Sequence, residues 1–193
     1  MKAAIGSVWH RQACAWFNSV IPVQGRKLFN AGCGFGHFMA GFEELGADVY
    51  GCDTGAYCSQ VAKSRFGHKF FKTSFKVMRD VPVNYFDIVF CAATMEHIPE
   101  EFVHQVFDNL IKITRPNGLL YFEIVTEPDN VRVFPEESHV NMRSWGSWLG
   151  EMARLSYNWT QAYHLTAALQ NTKDFPGFPL QSWKFIVNQK SNY

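Results

Sequence analysis

The sequence has little excess charge of either sign and no long hydrophobic run. Its 18 lysine and arginine residues nearly balance 17 acidic residues, which leaves a formal net charge of +1. Proteins that grip a nucleic-acid duplex usually carry a marked positive excess, so the composition disfavours nucleic acid as a partner. No uncharged apolar stretch reaches the roughly 20 residues of a membrane-spanning helix, so we expect no membrane segment.

Cysteine is present in an odd number, five residues, and no two form a C-x-x-C pair. This pattern is typical neither of a disulfide framework nor of a zinc site, so we expect reduced cysteines and no bound metal. The residues that precede Arg11 are too few and too polar for the apolar core of a signal peptide, and we therefore expect a cytoplasmic location.

The rest of the composition is that of an ordinary globular protein, with 47% hydrophobic and 18% charged residues among 193. A chain of this length buries roughly two-thirds of the surface that it exposes when unfolded. We predict a single domain over residues 1–193, in which residues 1–25 contain a leading helix.

Strand and helix patterns alternate along the chain. Apolar residues spaced three and four apart predict the leading helix over residues 8–20. Strands are predicted at 27–31, 48–52, 69–73, 86–91, 119–125, 156–164 and 183–188, and further helices at 37–45, 56–66, 99–113 and 144–155. A loop is expected over 127–141. The alternation predicts an α/β fold, with a doubly wound, mostly parallel seven-stranded sheet and helices on both faces.

Three glycines, Gly32, Gly34 and Gly36, follow the first strand and open the next helix. Because glycine has no Cβ, the backbone there can curl closely around a ligand near the helix N-terminus. A dinucleotide fingerprint needs its third glycine five positions after the first, where this chain has His37. The spacing indicates a nucleotide-type cradle and disfavours NAD.

Asp53 ends the second strand, about 20 residues beyond the first glycine of the turn. A carboxylate at this place can accept hydrogen bonds from both ribose hydroxyls of a nucleoside. The alternative is that Asp53 caps the helix that begins near Gly55. The order of strand, glycine turn and acidic residue favours the ribose role.

Five segments together have the character of a known family: Phe29–Gly36, Gly51–Asp53, Phe86–Val89, Glu96–Pro99 and Arg115–Leu120. In this order they resemble the class I S-adenosylmethionine (SAM)-dependent methyltransferases, most closely the small-molecule branch. The resemblance implies a Rossmann-like methyltransferase fold with a cofactor-binding core over 26–126 and an acceptor-side lid and last strands over 127–193. It also implies SAM as cofactor and S-adenosylhomocysteine as product, with a small-molecule acceptor methylated on oxygen or nitrogen.

The resemblance assigns cofactor contacts by position. Gly32, Cys33 and Gly34 would line the methionine part of SAM, Asp53 would hold the ribose and Thr54 would lie beside the adenine. The other implied contacts are Asn30, Gly36, Ser74, Phe75, Ala92, Ala93 and Glu96.

The chain departs from the family pattern at two positions. The family usually has an acidic residue where this chain has Asn30, and often an aspartate where it has Ser74-Phe75. Asn30 can form hydrogen bonds but supplies no charge to the cofactor. These departures keep open an alternative, a catalytically inactive SAM-fold partner or regulatory subunit.

Two histidines are candidate catalytic residues. Methyl transfer from a sulfonium needs alignment and, for some acceptors, a base. His97 follows the fourth strand and is a candidate base, because histidine titrates near neutral pH; the alternative is a structural role in the loop. His139 lies in the predicted loop, which in the resembling enzymes often closes over the acceptor. The aromatic residues Phe134, Trp145, Trp148 and Trp159 fit either an acceptor pocket or, more commonly, core.

Overall fold

One seven-stranded sheet organises the computed structural model, which describes residues 8–126, 138–154, 159–172 and 183–191. The strands are β1 (Lys27–Ala31), β2 (Asp48–Cys52), β3 (Phe70–Phe71), β4 (Phe86–Ala92), β5 (Thr114–Val125), β6 (Trp159–Gln161) and β7 (Trp183–Lys190). Their order across the sheet is β3-β2-β1-β4-β5-β7-β6. Strands β1 to β5 pair in parallel, whereas β7 is antiparallel to both β5 and β6. The predicted fold class is confirmed.

Helices cover both faces of the sheet. They are α1 (Val8–Val20), α2 (His37–Glu44), α3 (Ala56–Phe66), α4 (Val103–Ile113), α5 (Trp145–Arg154) and α6 (Tyr163–Gln170). Buried residues of α1, α2, α3 and α6 share one apolar cluster, and those of α4 and α5 share another. Among the described residues, no helix is both long and apolar enough to cross a bilayer.

The central strands β1 and β4 are mostly apolar because both of their faces are covered. Every residue of β4 except Asp87 is buried, and its side chains alternate between the two clusters. The chain leaves β1 towards β2 on one side and reaches β4 on the other, so the strand order reverses between β1 and β4. In open α/β sheets, ligands bind at the carboxyl ends of the strands beside such a reversal.

One predicted strand is longer than the strand that forms. Within the strand predicted over 156–164, Trp159–Gln161 form β6, whereas Tyr163 and His164 begin α6 (Tyr163–Gln170), a helix that the sequence analysis did not predict. Thr166 and Leu169 face the core, and the indole of Trp16 donates a hydrogen bond to the carbonyl of Leu169 at 2.9 Å. This bond joins α6 to α1. Residues 155–158 lie outside the described part.

Other boundaries differ less. Strand β3 has two residues rather than five, and the helix predicted from Pro99 starts as a 3₁₀ turn, Glu100–Phe102, before α4. Most of the predicted 127–141 loop, with Phe134, lies outside the described residues, while 138–143 have no regular structure. Trp148 and Trp159 are fully buried beside Phe107, so these two aromatic residues belong to the core.

Candidate active site

The glycine turn between β1 and α2 has a left-handed backbone. The φ angles are 70° at Gly32, 51° at Gly34 and 82° at Gly36, a conformation that residues with a Cβ rarely adopt. A Cβ on Gly32 would lie 2.8 Å from Thr94 Cγ2, because the turn lies directly against the loop after β4. A Cβ on Gly34 would meet nothing within 4 Å. The space beside Gly32 is thus filled by Thr94, whereas the space beside Gly34 is free of protein atoms and leaves room for a ligand.

Asp53 joins this turn to the end of β2. Its Oδ2 accepts a hydrogen bond from the Gly34 amide at 2.8 Å, and its Oδ1 accepts one from the Gly55 amide at 2.7 Å. The second bond is a local turn contact with the residue that precedes α3, and it does not cap an amide in the first turn of that helix. A carboxylate has about four acceptor sites. The two amides therefore leave Asp53, which is half-buried, able to accept hydrogen bonds from a ribose as well.

Asn30 lies at the end of β1 and is 1% exposed. Its Nδ2 donates to the Phe90 carbonyl at 3.3 Å, while its Oδ1 is buried with no hydrogen-bond partner in the described part of the chain. A buried acceptor without a donor costs free energy. An ammonium group of a bound ligand would satisfy it, so Asn30 fits a cofactor that carries an amino group.

The other residues that the sequence assigned to the cofactor differ in exposure. Thr54 is exposed just after Asp53, whereas Cys33 is buried, and this burial raises the pKa of its thiol far above the usual range. Phe75 packs into the core cluster of α4, and its carbonyl accepts a hydrogen bond from Asn109 Nδ2 at 2.7 Å. Ser74, beside it, is half-buried. The hydrogen bond from Asn109 therefore connects the turn at residues 74–75 to α4, and the side chain of Phe75 packs in the core.

The loop after β4 approaches the glycine turn from the other side. Ala92 is buried, while Ala93 is exposed and has a φ of 47°. The Ala93 amide donates to the Glu123 carbonyl at 3.0 Å, and the Thr94 hydroxyl donates to the Ala92 carbonyl at 2.9 Å. The 3₁₀ turn Met95–His97 follows directly. This loop is therefore held on one side by β5 and places the next residues at the mouth of the site.

The two histidines that the sequence proposed separately lie side by side. The ring centroids of His97 and His139 are 4.7 Å apart, and His97 Nδ1 lies 3.1 Å from the Ser138 carbonyl oxygen. Both histidines are half-buried, while Glu96 is completely buried. One ligand atom from each of these three side chains lies within 4.8 Å of the other two. The sequence indicated each histidine separately as a candidate catalytic residue, but it did not predict their contact or its extension to Glu96, because His139 is distant in the chain.

Segment 138–143 is anchored to the β4 loop through Asn141. Its amide donates to the Glu96 carbonyl at 3.0 Å, and its Nδ2 donates to the Ile98 carbonyl at 2.9 Å. Its Oδ1 accepts from Arg143 Nε at 2.9 Å. This buried asparagine thus holds the segment that carries His139 against the loop that carries His97.

Glu123 is a buried acidic residue that the sequence analysis missed. It lies on β5 opposite Ala92, is 4% exposed and accepts a hydrogen bond from the Tyr121 hydroxyl at 3.1 Å. Burial raises its pKa to about 7, while the hydrogen bond from Tyr121 acts in the opposite direction. The only signal for it was one carboxylate within an otherwise apolar strand.

Sequence comparison finds similarity over the same region. Residues 29–122 match the family described as "Methyltransferase domain". The ubiquinone biosynthesis O-methyltransferase of Shewanella sp. (strain ANA-3) is 26% identical over 117 residues, which are 58% of this chain and 48% of that protein. The chain therefore spans about half the length of the curated relatives that it matches.

Solved structures share the fold at lower identity. A SAM dependent methyltransferase from Archaeoglobus fulgidus superimposes with a TM-score of 0.68 at 13% identity, covering 94% of both chains. The [4+2]-cyclase SpnF has a TM-score of 0.66 at 11% identity, covering 95% of this chain and 81% of that one. These likenesses show the fold, and one neighbour with the fold is described as a cyclase, so the reaction must be argued from the site.

Proposed function

We propose that this chain, whose residues 29–122 match the methyltransferase-domain family, transfers a methyl group from SAM to an oxygen or nitrogen of a small molecule. One observation carries the proposal. Asp53 and Gly34, which the family resemblance assigns to the ribose and the methionine of SAM, are joined by a hydrogen bond at the strand-order reversal. The fold and the family both imply SAM as the cofactor and S-adenosylhomocysteine as its product.

The cofactor would lie across the carboxyl ends of β1 and β2. Asp53 would accept hydrogen bonds from the ribose hydroxyls, and the open side of Gly34 would leave room for the methionine portion. Asn30 Oδ1, which has no hydrogen-bond partner among the described residues, would accept a hydrogen bond from the cofactor's amino group. These roles use acceptor atoms and free space that the described residues provide.

The bound cofactor supplies a methyl group already activated by its positive sulfur, so the protein's main task is alignment of the acceptor. The loop after β4 would align the acceptor at the mouth of the site. Thr94 packs against Gly32, and His97 and His139 follow on the acceptor side. An acceptor between the turn and the histidines would have polar groups beside its nucleophilic atom, to which its proton can pass.

We favour oxygen over nitrogen as the methylated atom. The curated relatives are named as O-methyltransferases of ubiquinone biosynthesis, at 26% identity for the one from Shewanella. A small molecule with a hydroxyl group is therefore the first acceptor class to examine.

The test is formation of S-adenosylhomocysteine from SAM by the purified protein with a panel of phenols, catechols, aliphatic alcohols and amines. We expect turnover with at least one hydroxyl acceptor, and we expect His97→Gln to lower it at unchanged SAM affinity. His68→Gln, at an exposed histidine in the 3₁₀ turn after α3, is the matched control and should leave turnover unchanged.

SAM binding without product from any acceptor would contradict the proposed activity. The chain would then be a catalytically inactive SAM-fold partner or regulatory subunit. Asn30 is the observation that would then explain the loss, because it supplies no charge where the resembling enzymes usually have an acidic residue.

A further inference from the structure

Glu96, His97 and His139 bring together two imidazoles and one carboxylate. One ligand atom from each lies within 4.8 Å of the others, a spacing compatible with all three binding one ion after small side-chain rotations. A set of two histidines and one carboxylate binds Zn²⁺ or Fe²⁺ in many enzymes and leaves coordination positions for water or substrate. The cluster therefore has the ligand types and the proximity of a mononuclear metal site.

The orientation of His97 supports this use. Its Nδ1 lies 3.1 Å from the Ser138 carbonyl oxygen, so Nδ1–H donates there, and in the neutral ring Nε2 is the nitrogen that can bind an ion. Metal-binding histidines typically donate their second ring N–H to a carbonyl or carboxylate in this way, which fixes the ring and its tautomer.

The backbone around the cluster is held independently of the three side chains. The Asn141 amide donates to the Glu96 carbonyl at 3.0 Å, and the Asn141 side chain donates to the Ile98 carbonyl at 2.9 Å. Ligands on two segments distant in the chain are thus kept together before any ion binds. Such preorganisation reduces the free-energy cost of binding.

The burial of the ligands is uneven. Glu96 is 0% exposed, whereas both histidines are half-buried. An ion bound here would contact the buried carboxylate of Glu96 on its inner side and the two half-buried histidines nearer the surface.

We propose that Glu96, His97 and His139 bind one divalent transition-metal ion of the zinc type, and that the hydroxyl oxygen of the acceptor completes its coordination. The role of the ion rests on the proposed function, while its binding does not. Coordination to a divalent cation makes a bound hydroxyl more acidic. Because the lone pairs of both imidazoles would bind the ion, the proton of the hydroxyl would pass to water and not to a histidine, and the hydroxyl oxygen would form the bond to the methyl carbon. The C–S bond would break with both electrons remaining on sulfur, which gives S-adenosylhomocysteine.

The proposal narrows the acceptor class. A hydroxyl loses its proton and stays bound to the ion as an anionic oxygen, whereas an amine needs its lone pair for the attack and loses that pair when it coordinates. We therefore expect hydroxyl acceptors, and among them those with a second oxygen that can also reach the ion.

Binding is tested by titrating Zn²⁺ into the chelator-treated, full-length protein without SAM, and Co²⁺ into a parallel sample for its visible spectrum. We expect one tight ion per chain and a Co²⁺ spectrum without thiolate charge-transfer bands. His139→Gln should weaken binding about 10- to 100-fold or more, since second-shell changes alone cost that much. His68→Gln is the control at an exposed histidine. Equal binding by His139→Gln and the unaltered protein, or no Zn²⁺ binding by the latter, would overturn the proposal.

Two further measurements separate the site from the reaction. Glu96→Gln replaces the proposed carboxylate ligand by an amide, and circular dichroism shows whether that variant folds. A folded variant that binds Zn²⁺ as tightly as the unaltered protein would contradict the ligand set. Zn²⁺ binding without methyl transfer would support the metal site and contradict the proposed function. Methyl transfer that persists at full rate in the metal-free protein would retain the proposed function and overturn the role of the ion.

Discussion

The Oδ2 atom of Asp53 accepts a hydrogen bond from the amide of Gly34 at 2.8 Å. This bond ties the end of β2 to the middle of the turn after β1. Asp53 therefore shapes the glycine turn in addition to being the proposed ribose acceptor, and both roles depend on the same carboxylate.

Asp53→Asn replaces one acceptor oxygen by a donor and removes the charge. Hydrogen bonds to charged groups contribute about 1.5–3 kcal/mol, so we expect the dissociation constant for SAM to rise about 10- to 100-fold. Isothermal titration measures this. The control is Asp80→Asn, the same change at an exposed position, which should leave affinity unchanged. Unchanged affinity in Asp53→Asn would show that this carboxylate does not hold the ribose.

The two ends of the glycine turn should respond differently to alanine. In Gly32→Ala the new Cβ lies 2.8 Å from Thr94 Cγ2 at a φ of 70°, so strain adds to a clash and we expect a loss of about 2–5 kcal/mol of unfolding free energy. In Gly34→Ala the Cβ meets nothing, and the strain alone is about 1–2 kcal/mol.

Urea unfolding without cofactor distinguishes these two variants, and SAM titration completes the comparison. The Gly34→Ala side chain would enter the proposed ligand space, so its SAM affinity should fall although its fold is largely kept. Equal destabilisation by both variants would contradict the close approach of the turn to Thr94.

Glu123 predicts a pH-dependent stability. Burial raises its pKa to about 7 in the folded protein, above the ordinary value of 4.5, so the folded state holds this proton more tightly than the unfolded state. As pH rises from about 4.5 to about 7, the unfolded chain ionises first and the folded state loses up to about 3 kcal/mol of relative stability.

Glu123→Gln removes this penalty and keeps an acceptor for the Tyr121 hydroxyl. We expect the variant to exceed the unaltered protein in unfolding free energy by up to about 3 kcal/mol at pH 8 and by much less at pH 5. Urea unfolding at the two pH values measures the difference. Glu101→Gln, at an exposed glutamate, should give no such change. A difference between Glu123→Gln and the unaltered protein that is the same at both pH values would refute the raised pKa.

Asn141 should act as a positioning residue for the Glu96–His97–His139 cluster. Asn141→Ala leaves the Ile98 carbonyl without its donor and Arg143 without one acceptor, at a cost of about 1–3 kcal/mol. We expect Zn²⁺ affinity to fall about tenfold or more and the Co²⁺ spectrum to change. Asn171→Ala at an exposed position is the control. An unchanged Co²⁺ spectrum and Zn²⁺ affinity in Asn141→Ala would show that segment 138–143 needs no such anchor.

The core of the fold was predictable because its signals are local. Strands β1 and β2 and helix α3 have the predicted bounds, since a short apolar run or helical spacing ends at a glycine or charged residue in each case. Helix α6 was not predicted. It contacts α1, which is distant in the chain, through the hydrogen bond from the Trp16 indole to the Leu169 carbonyl. A local sequence pattern does not contain the information that such distant contacts add.

The candidate site divides in the same way. The glycine turn and Asp53 could be proposed from the sequence because they lie at strand ends in a fixed order, although their cofactor roles stay predictions. The contact between His97 and His139 and the burial of Glu123 depend on which strands and segments become neighbours in space. Such neighbours are set by the tertiary fold, and no spacing in the sequence encodes them.

The most direct measurement is isothermal titration of SAM and of S-adenosylhomocysteine into the purified protein, with NADH as the comparison. We expect saturable binding of both SAM and S-adenosylhomocysteine, one per chain and in the micromolar range, and no binding of NADH. Absence of heat with both SAM and S-adenosylhomocysteine at several temperatures would contradict the assignment of a cofactor site to the carboxyl ends of β1 and β2.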